Sequence, residues 1–362
     1  MDRRSFLKTS AVGGTAAAAT SLAAPLYAQG KRTLTMVTSV PRGFAVFDDA
    51  AQQLEKIVGE LSGGSLTIEK KSAGELVGAF EVFDAVTSGQ ADMYHSADYY
   101  FVSQHPALAY FTSVPFGGTA TEVATWYYGA GGQELHDELG QIFNFKGLMC
   151  GNTGCQPGGW FNKEINSVDD LNGLKFRMPG LGGQALGKLG VSVQNIPGGE
   201  LYQALSSGAI DGLEWIGPLA DERAGFQEVS KIYYTAGFHE PGSALSANVN
   251  LDVWNDLSEQ HQAILKYAAM SATMAQVADT QAKNAASLAN LRATGVKTYE
   301  FPDDVWDAFG SASKELMDSY MDDEFFAKVR ASYEASVSAT SSWLQLSDGE
   351  YVSQRNRVLG NS

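Results

Sequence analysis

Cysteine and histidine are scarce in this chain, which has two cysteines and five histidines among 362 residues. Two cysteines do not build a disulfide scaffold. Cys150 and Cys155 could pair in an oxidising compartment, but their close spacing does not fix the distance between their Cα atoms. The sequence therefore allows either a disulfide bridge or two free thiols. No His or Cys pair with zinc-ligand spacing occurs, which disfavours a zinc site.

Positive charge is also in short supply. Lysine and arginine number 25 against 41 aspartates and glutamates, which gives a formal net charge of −16. An acidic protein of this kind is not expected to bind nucleic acid, because that partner needs basic patches. The acidity also disfavours a small anionic ligand unless the binding site supplies local positive charge.

Hydrophobic runs long enough to span a bilayer are lacking as well. The apolar run that ends at about Ala24 is rich in alanine and too short for a membrane anchor, and it follows the motif RRSFLK at Arg3–Lys8. This pattern is typical of a twin-arginine export signal over residues 1–28, cleaved after Ala28. We therefore expect an exported protein that works in a bacterial periplasm.

Signatures of nucleophilic catalysis are missing too. His95, His105 and His239 stand alone in the sequence, and no G-x-S-x-G or similar motif accompanies them. We predict that they are structural histidines with satisfied ring nitrogens.

Two segments of the chain resemble each other, Ala85–Asp92 (AVTSGQAD) and Ala204–Asp211 (ALSSGAID). Each predicts the end of an amphipathic helix, a glycine C-cap and an aspartate that enters a short strand. Such junctions are common, so coincidence is the alternative. The shared S-G-x-x-D favours a structural pseudo-repeat with one copy in each of two lobes.

Strand and helix patterns alternate along both halves of the chain, which predicts an α/β fold with two lobes and a cleft between them. The predicted strands are 33–38, 66–69, 174–178, 191–195, 213–216 and 244–250, the last returning to the first lobe. The predicted helices are 46–61, 80–87, 183–189, 200–206, 258–291, 303–321 and 323–343.

This alternation also predicts a domain division. Lobe 1 would comprise residues 29–150, completed by about 245–300, and lobe 2 would comprise residues 151–244. Helices at 301–362 would brace the lobes or mediate dimerisation.

Polar side chains at strand ends and in glycine-rich loops indicate a ligand site, because α/β folds hold ligands at such positions. These side chains are one guanidinium (Arg177), two carboxylates (Glu214 and Glu240) and two amides (Asn152 and Gln156).

Each charged group has a functional and an ordinary interpretation. The rigid fork of Arg177 suits a carboxylate, although a strand arginine is often a surface charge. Glu214 follows an apolar strand, where a carboxylate must be paired, protonated or metal-bound, and a structural salt bridge is the alternative. Together with Glu240 and Gln156 it offers an all-oxygen set, which suits a hard cation such as Na⁺ or Ca²⁺.

Three adjacent aromatic residues, Tyr99, Tyr100 and Phe101, cannot all face one way. At least one of them is expected to line the cleft, where a tyrosine offers a flat wall and a hydroxyl group.

The motifs GNTG-x-Q-x-GGWF, LNGLKFRMPG and SGAIDGLEWIGP, with Glu240 downstream, resemble the solute-binding subunit of tripartite ATP-independent periplasmic (TRAP) transporters, the DctP-like family. The likeness covers nearly the whole chain and is greatest to the metal-dependent branch that binds 2-oxo acids. It implies a two-lobed periplasmic binding protein fold, type II-like, with a long bracing helix and a helical C-terminus.

The resemblance implies roles for single residues. Arg177 would bind the substrate carboxylate. A cation would be held by Gln156, Glu214, the backbone carbonyl of Trp215 and Glu240. That cation would coordinate the carboxylate and 2-oxo oxygens of the ligand, so Gln156 and Trp215 would also lie beside it.

Asn152 and Tyr100 would help to orient the ligand. Phe101 and Val102 depart from the Tyr and Trp of that branch, and His239 replaces an aromatic residue. These departures leave the ligand open among pyruvate, a longer 2-oxo acid, lactate and a sugar acid. The choice between Na⁺ and Ca²⁺ is open too.

The implied function is capture of a small 2-oxo or 2-hydroxy carboxylate and its delivery to the TRAP membrane permease, without chemistry. A homodimer through the C-terminal helices is expected. The alternative from another class is a periplasmic metal-dependent enzyme acting on a keto acid, but no motif places a base beside a metal-activated water. The binding subunit of an ATP-driven importer shares the architecture, but the motifs speak against it.

Overall fold

The structure is a computed structural model that describes residues 30–360. The predicted export signal lies outside these residues. The described chain forms two mixed β-sheets with helices packed around them. Its strands are β1 Arg32–Thr38, β2 Leu66–Lys71, β3 Met93–Ser96, β4 Phe145–Lys146, β5 Met149–Asn152, β6 Pro157–Phe161, β7 Lys175–Arg177, β8 Ser192–Gln194, β9 Gly212–Leu213, β10 Ile232–Ala236, β11 Ala244–Asn250 and β12 Lys297–Tyr299.

The α-helices cover both predicted lobes and the C-terminal region. They are α1 Phe47–Leu61, α2 Val82–Thr87, α3 Ala120–Gly129, α4 Gly132–Phe143, α5 Gly180–Lys188, α6 Leu201–Ser206, α7 Pro218–Ala224, α8 Leu251–Asp256, α9 Glu259–Ala293, α10 Asp303–Asp318, α11 Glu324–Leu344 and α12 Glu350–Leu359. None of these helices is apolar enough over sufficient length to cross a membrane.

Each sheet mixes parallel and antiparallel strands. The first has the order β2-β1-β3-β11-β4, with β5 also paired to β11, and the second has the order β12-β10-β6-β9-β7-β8. In the first sheet β1 is parallel to both neighbours, whereas β11 is antiparallel to its partners. The predicted return of residues 244–250 to the first sheet is therefore confirmed. The exact lobe boundaries stay a prediction, and β12 pairs with β10 in the second sheet.

The two repeat segments form matching junctions, which confirms the pseudo-repeat. The Asp92 carboxylate accepts a hydrogen bond from the Thr35 N–H at 2.7 Å, and the Asp211 carboxylate accepts one from the Lys175 N–H at 2.9 Å. Each aspartate N–H donates back to the carbonyl of the same residue, at 3.1 and 2.7 Å. In both sheets the aspartate thus ties a new strand to the parallel strand beside it.

One predicted strand, 213–216, is wrong beyond Leu213. The Asp221 carboxylate accepts hydrogen bonds from the backbone N–H groups of Ile216 and Gly217, at 3.2 and 2.9 Å. The chain therefore leaves the sheet in a turn held by a side chain five residues ahead. Hydrophobic alternation along the strand carries no signal of that contact.

Besides the connection through α9 to β12, the chain passes between the two sheets in two short crossing segments, residues 153–156 and 237–243. They run beside each other, because the Gln156 N–H donates to the Glu240 carbonyl at 3.0 Å and the Gly237 N–H donates to the Gln156 carbonyl at 2.9 Å. Residues on these segments therefore sit at the junction of the lobes.

Helix α9 braces both lobes, as predicted. Its 35 residues measure about 50 Å at 1.5 Å per residue. It packs against α1 and β5 on the side of the first sheet and against α7 on the side of the second. The Gln276 amide oxygen accepts from the Asn152 N–H at 2.9 Å, and the Asn284 amide oxygen accepts from the Leu219 N–H at 3.0 Å.

The last helices also divide between the lobes. Helix α10 packs on α5 beside the second sheet, whereas α11 packs on α3 and α4 beside the first. Helix α12 extends beyond this packing and has no buried residue.

Both cysteines are free, so of the two alternatives the structure shows two thiols. Cys150 is buried and Cys155 is exposed. Burial raises the pKa of Cys150 to about 12.

Candidate functional site

Arg177 and Glu214 lie side by side at the ends of two paired strands. Arg177 and Leu213 are register partners in the parallel pairing of β7 with β9. The Glu214 N–H donates to the Arg177 carbonyl at 3.2 Å. Because parallel strands end at the same edge of a sheet, the two side chains meet there.

The Arg177 guanidinium is fully buried and mostly engaged. Its Nη1 contacts a Glu214 carboxylate oxygen and donates to the Glu214 carbonyl at 3.2 Å, and its Nε donates to the Ile196 carbonyl at 3.1 Å. The Trp215 ring lies over it, with 5.4 Å from Cζ to the ring centroid, a cation–π contact. Nη2 finds no partner among the described residues. The strand-end arginine is thus held in place and keeps one donor free.

Gln156 and Glu240 lie opposite each other on the two crossing segments. The Gln156 Nε2 donates to Glu240 Oε2 at 2.6 Å and to the Thr153 hydroxyl at 3.0 Å. The Ser243 hydroxyl donates to the same Glu240 oxygen at 2.5 Å. Within residues 30–360 the Gln156 Oε1 has no partner. Sequence reasoning missed Thr153 and Ser243, although both lie within three residues of a predicted ligand.

Two carboxylates are buried together at this junction. Glu214 is fully buried and Glu240 is 3% exposed. Burial, together with the charge of Glu214, raises the pKa of Glu240 to about 7. Glu214 Oε2 is also without a hydrogen-bond partner in the described part of the chain. Buried carboxylate and amide oxygens of this kind fit a cation, which would neutralise the paired negative charge.

His239 belongs to this cluster, so its prediction as a satisfied structural histidine is wrong. Its Nε2 lies 3.4 Å from Glu214 Oε2, and neither ring nitrogen has a hydrogen-bond partner in the region described. One candidate ligand atom from each of Glu214, His239 and Glu240 lies within 4.8 Å of the others. Glu240 is adjacent to His239 in the sequence, whereas only the fold brings Glu214 to the ring.

The other two histidines are structural, as predicted, although His95 Nδ1 has no hydrogen-bond partner in the described residues. The His95 Nε2 lies 2.8 Å from the Cys150 carbonyl, and burial lowers the pKa of His95 to about 4. The His105 Nδ1 accepts from the Ala107 N–H at 3.1 Å and caps a 3-10 helix.

Aromatic side chains from both lobes close over the cluster. The Trp215 ring stacks on Phe47 at the start of α1, with ring centroids 6.1 Å apart, and meets the edge of Phe44 at 6.0 Å. A Cβ atom at Gly198 would come within 2.3 Å of the Trp215 ring, so the ring is seated closely against the backbone of its own lobe. The site is therefore enclosed.

The three adjacent aromatic residues separate as predicted. Tyr99 and Tyr100 are buried beside the charged cluster, and burial raises the pKa of both phenols, the charge of Arg177 opposing it at Tyr100. Their rings are perpendicular, with centroids 4.8 Å apart. Phe101 packs in the core against Phe83, with centroids 5.1 Å apart. The two tyrosines line the cleft and the phenylalanine does not.

The side chain of Asn152 makes hydrogen bonds to the backbone of the two crossing segments. Its Oδ1 accepts from the Gly154 N–H at 2.8 Å, and its Nδ2 donates to the Gly242 carbonyl at 3.4 Å. Asn152 therefore joins the crossing segments, and its role in orienting a ligand stays a prediction. The other predicted residues, Tyr100, Gln156, Arg177, Glu214, Trp215 and Glu240, are all buried at the junction.

The comparison with known proteins agrees with this site. Residues 36–324 match the family model described as bacterial extracellular solute-binding protein, family 7. A curated relative, the monocarboxylate 2-oxoacid-binding periplasmic protein of Nostoc sp. (strain PCC 7120), is 38% identical over 317 residues, which cover 87% of each chain.

Solved TRAP solute-binding proteins share the fold over nearly their full length. One from Bordetella bronchiseptica RB50 has a TM-score of 0.89 and 33% identity, covering 91% of this chain and 99% of that one. It is a mixed-occupancy dimer with co-purified calcium and picolinate in one active site and an apo site for comparison.

Two others were solved with pyruvate. The protein from Colwellia psychrerythraea, with calcium and pyruvate, has a TM-score of 0.87 and 38% identity over 90% of this chain and 99% of that one. The protein from Pseudoalteromonas atlantica T6c, with sodium and pyruvate, has a TM-score of 0.86 and 38% identity over 89% and 99%.

The predicted family and fold class are thus confirmed by a match over most of the chain. The protein belongs to family 7 of the bacterial extracellular solute-binding proteins, and it is a periplasmic solute-binding protein of the TRAP transporter type, not an enzyme.

Proposed function

We propose that this protein captures a small 2-oxo or 2-hydroxy monocarboxylate, of the size of pyruvate, together with one cation, Ca²⁺ or Na⁺. It delivers this ligand to the membrane permease of a TRAP transporter. One observation carries the proposal: Arg177 Nη2, Glu214 Oε2 and Gln156 Oε1 are all buried at the lobe junction without partners among residues 30–360. A buried donor beside buried acceptors calls for an anion and a cation together.

Charge balance also supports the binding of an anionic ligand together with a cation. Two carboxylates, Glu214 and Glu240, face one guanidinium, Arg177, in an enclosed site. An anionic ligand alone would add to the surplus of negative charge, in a protein that already carries a net charge of −16. A cation bound by the carboxylates reverses that repulsion, and the low local dielectric strengthens its attraction for the ligand.

Different residues of the site would bind the cation and the carboxylate ligand. Gln156, Glu214, the Trp215 carbonyl and Glu240 would hold the cation, which supplies a Lewis-acidic contact to the ligand oxygens. Arg177 would bind the ligand carboxylate through its free Nη2.

The walls favour a short ligand. Tyr99, Tyr100 and Trp215 are buried around the charged cluster, at 5%, 8% and 4% exposure, so a ligand there would be enclosed by aromatic rings. The hydroxyl of Tyr100, near the Arg177 guanidinium, offers a further donor to a carboxylate. Pyruvate bound with calcium or sodium in the similar Colwellia and Pseudoalteromonas proteins supports this size class.

Calorimetry with defined ligands and cations tests the proposal. After exhaustive chelation the protein should not bind pyruvate, and added Ca²⁺ or Na⁺ should restore binding. Lactate, a longer 2-oxo acid and a sugar acid serve as competitors for ligand class. Arg177→Ala should abolish high-affinity binding because it removes the guanidinium of the cluster. Lys175→Ala is the matched control, since this exposed residue of the same strand carries the same charge.

Three results would count against the proposal. Undiminished pyruvate binding by chelated, desalted protein would exclude the cation, and near wild-type affinity in Arg177→Ala would exclude the arginine. If a sugar acid bound at least as tightly as pyruvate, the size class would be wrong.

The C-terminal helices favour a homodimer. Helix α12 has no buried residue, and large apolar side chains are exposed along the end of α11 and through α12. Exposed fractions reach 65% for Trp343, 76% for Leu346 and 65% for Tyr351. A second copy covering this stripe would remove apolar surface from water.

The motif at Arg3–Lys8 supports export of the chain through the twin-arginine pathway.

A further inference from the structure

The imidazole of His239 is buried in a polar cluster and makes no hydrogen bond there. The residue is 3% exposed, and Nδ1 and Nε2 both lack a partner within the described chain. A buried polar group left without a hydrogen bond destabilises the folded protein. His95 is also fully buried, but it lacks a partner only at Nδ1, because its Nε2 lies 2.8 Å from a carbonyl. Both ring nitrogens of His239 are therefore available to a partner that is not part of the protein.

The position of the ring fits a metal ligand. Its Nε2 is 3.4 Å from Glu214 Oε2, longer than a usual N–H···O hydrogen bond. Neighbouring ligands around a cation lie about 3.4 Å apart when each is about 2.4 Å from the ion. Glu240 completes the group, because one ligand atom from each of these three residues lies within 4.8 Å of the others.

Two glycines fix the ring in this position. A Cβ atom at Gly237 would lie 2.3 Å from Cε1 of His239, and one at Gly182 would lie 2.8 Å from its Cβ. Any larger residue at either place would collide with the histidine. A ring held this closely is pre-organised to ligate, since it loses little conformational freedom on binding.

We propose that His239 is a direct ligand of the bound cation. The site then has a mixed nitrogen–oxygen donor set: imidazole from His239, carboxylates from Glu214 and Glu240, and the amide oxygen of Gln156. This inference rests on the proposed function, because it adds a residue to the same cation site.

The added nitrogen changes which cations the site accepts. Carboxylate and carbonyl oxygens suit Ca²⁺ and Mn²⁺, whereas imidazole suits first-row transition ions and adds little for Ca²⁺ or Na⁺. A mixed set therefore raises the affinity for divalent first-row ions relative to Ca²⁺. An aromatic side chain at position 239 would provide no such donor.

Pulsed electron paramagnetic resonance on the full exported protein tests this assignment. Chelated protein is loaded with Mn²⁺ in the presence of pyruvate, with natural-abundance histidine and with [¹⁵N]histidine. The expected result is the signature of one directly bound histidine nitrogen, which changes with the isotope and disappears in His239→Phe. This variant keeps a ring in the same packing and removes the donor.

Calorimetry on the same proteins gives a second readout. In His239→Phe the affinity for Mn²⁺ should fall more than the affinity for Ca²⁺, because imidazole binds first-row transition ions better than it binds Ca²⁺. A His239 that only donates a hydrogen bond to Glu214 would weaken both ions alike.

Three outcomes overturn the assignment: no bound nitrogen in wild-type protein carrying Mn²⁺, no Mn²⁺ binding at all, or an unchanged ratio of Mn²⁺ to Ca²⁺ affinity in the variant. The spectrum of the wild type decides the matter even if the variant does not fold. Failure of the proposed function looks different, since wild-type protein would then bind no pyruvate with either Ca²⁺ or Na⁺.

Discussion

Replacing Arg177 by methionine should destabilise the cation-free protein strongly. The guanidinium and the Glu214 carboxylate are both fully buried and contact each other. A methionine at this position would leave the Glu214 charge without its counter-ion, and removing one member of a buried pair costs about 3–5 kcal/mol. The hydrogen bond to the Ile196 carbonyl is lost as well.

The double variant Arg177→Met/Glu214→Gln should be more stable than Arg177→Met alone. Glutamine removes the unpaired charge and keeps nearly the same volume. We expect it to recover about half of the loss, or about 2 kcal/mol, because the dominant cost of the single substitution is the stranded charge. Neither variant should bind pyruvate, since each lacks the arginine. Stability and binding are then separated in one pair of proteins.

Urea unfolding in the presence of a chelator measures these differences. Lys175→Met on the same strand is the control, and because its side chain is exposed it should stay within about 0.5 kcal/mol of wild type. A loss below about 1 kcal/mol in Arg177→Met, or a double variant less stable than the single, would refute the reasoning. Arg177→Ala, which also removes the guanidinium, is therefore expected to be folded but less stable than wild type.

Two further predictions concern other parts of the molecule. Burial raises the pKa of Asp221 from 3.8 to about 6, so this carboxyl stabilises the folded state at pH 4 and loses most of that contribution, about 2 kcal/mol, as the pH rises to 6. Asp221→Asn should flatten the pH dependence of the unfolding free energy in this window, and an unchanged slope would disprove the shift. Tyr351→Asp should convert a dimer to a monomer in light scattering, because it places a charge on the exposed stripe of α12. Ser353→Asp, an exposed neighbour, should leave the dimer intact, and equal masses for both variants would argue against this interface.

Local patterns predicted part of the framework of the fold, but not the strands β4, β5, β6, β10 and β12 or the helices α3, α4 and α7. The junctions at Asp92 and Asp211 follow from short-range signals, a glycine C-cap and the start of a strand. The long helix α9 follows from an uninterrupted helical pattern and begins after Ser258, whose hydroxyl accepts from the His261 N–H at 3.2 Å. Such features depend on residues within a few positions of each other, so the sequence displays them directly.

For the site, the sequence indicated which residues take part but not which of them contact each other. Arg177 and Glu214 could be placed at strand ends, but their mutual contact depends on which strands pair. The contact of Gln156 with Glu240 spans 84 positions and requires the two crossing segments to meet. His239 joins the cluster only through that crossing, and no local pattern separates it from an ordinary histidine. Long-range packing supplies what the sequence alone could not.

The unequal burial of the two thiols makes this protein suited to becoming an optical sensor of its own ligand. Cys155 is exposed and precedes Gln156, whereas Cys150 is fully buried. A thiol-reactive fluorophore would therefore attach at a single place, one residue from an amide of the cation cluster. Fluorescence from that dye would report cation and carboxylate uptake without any engineered cysteine.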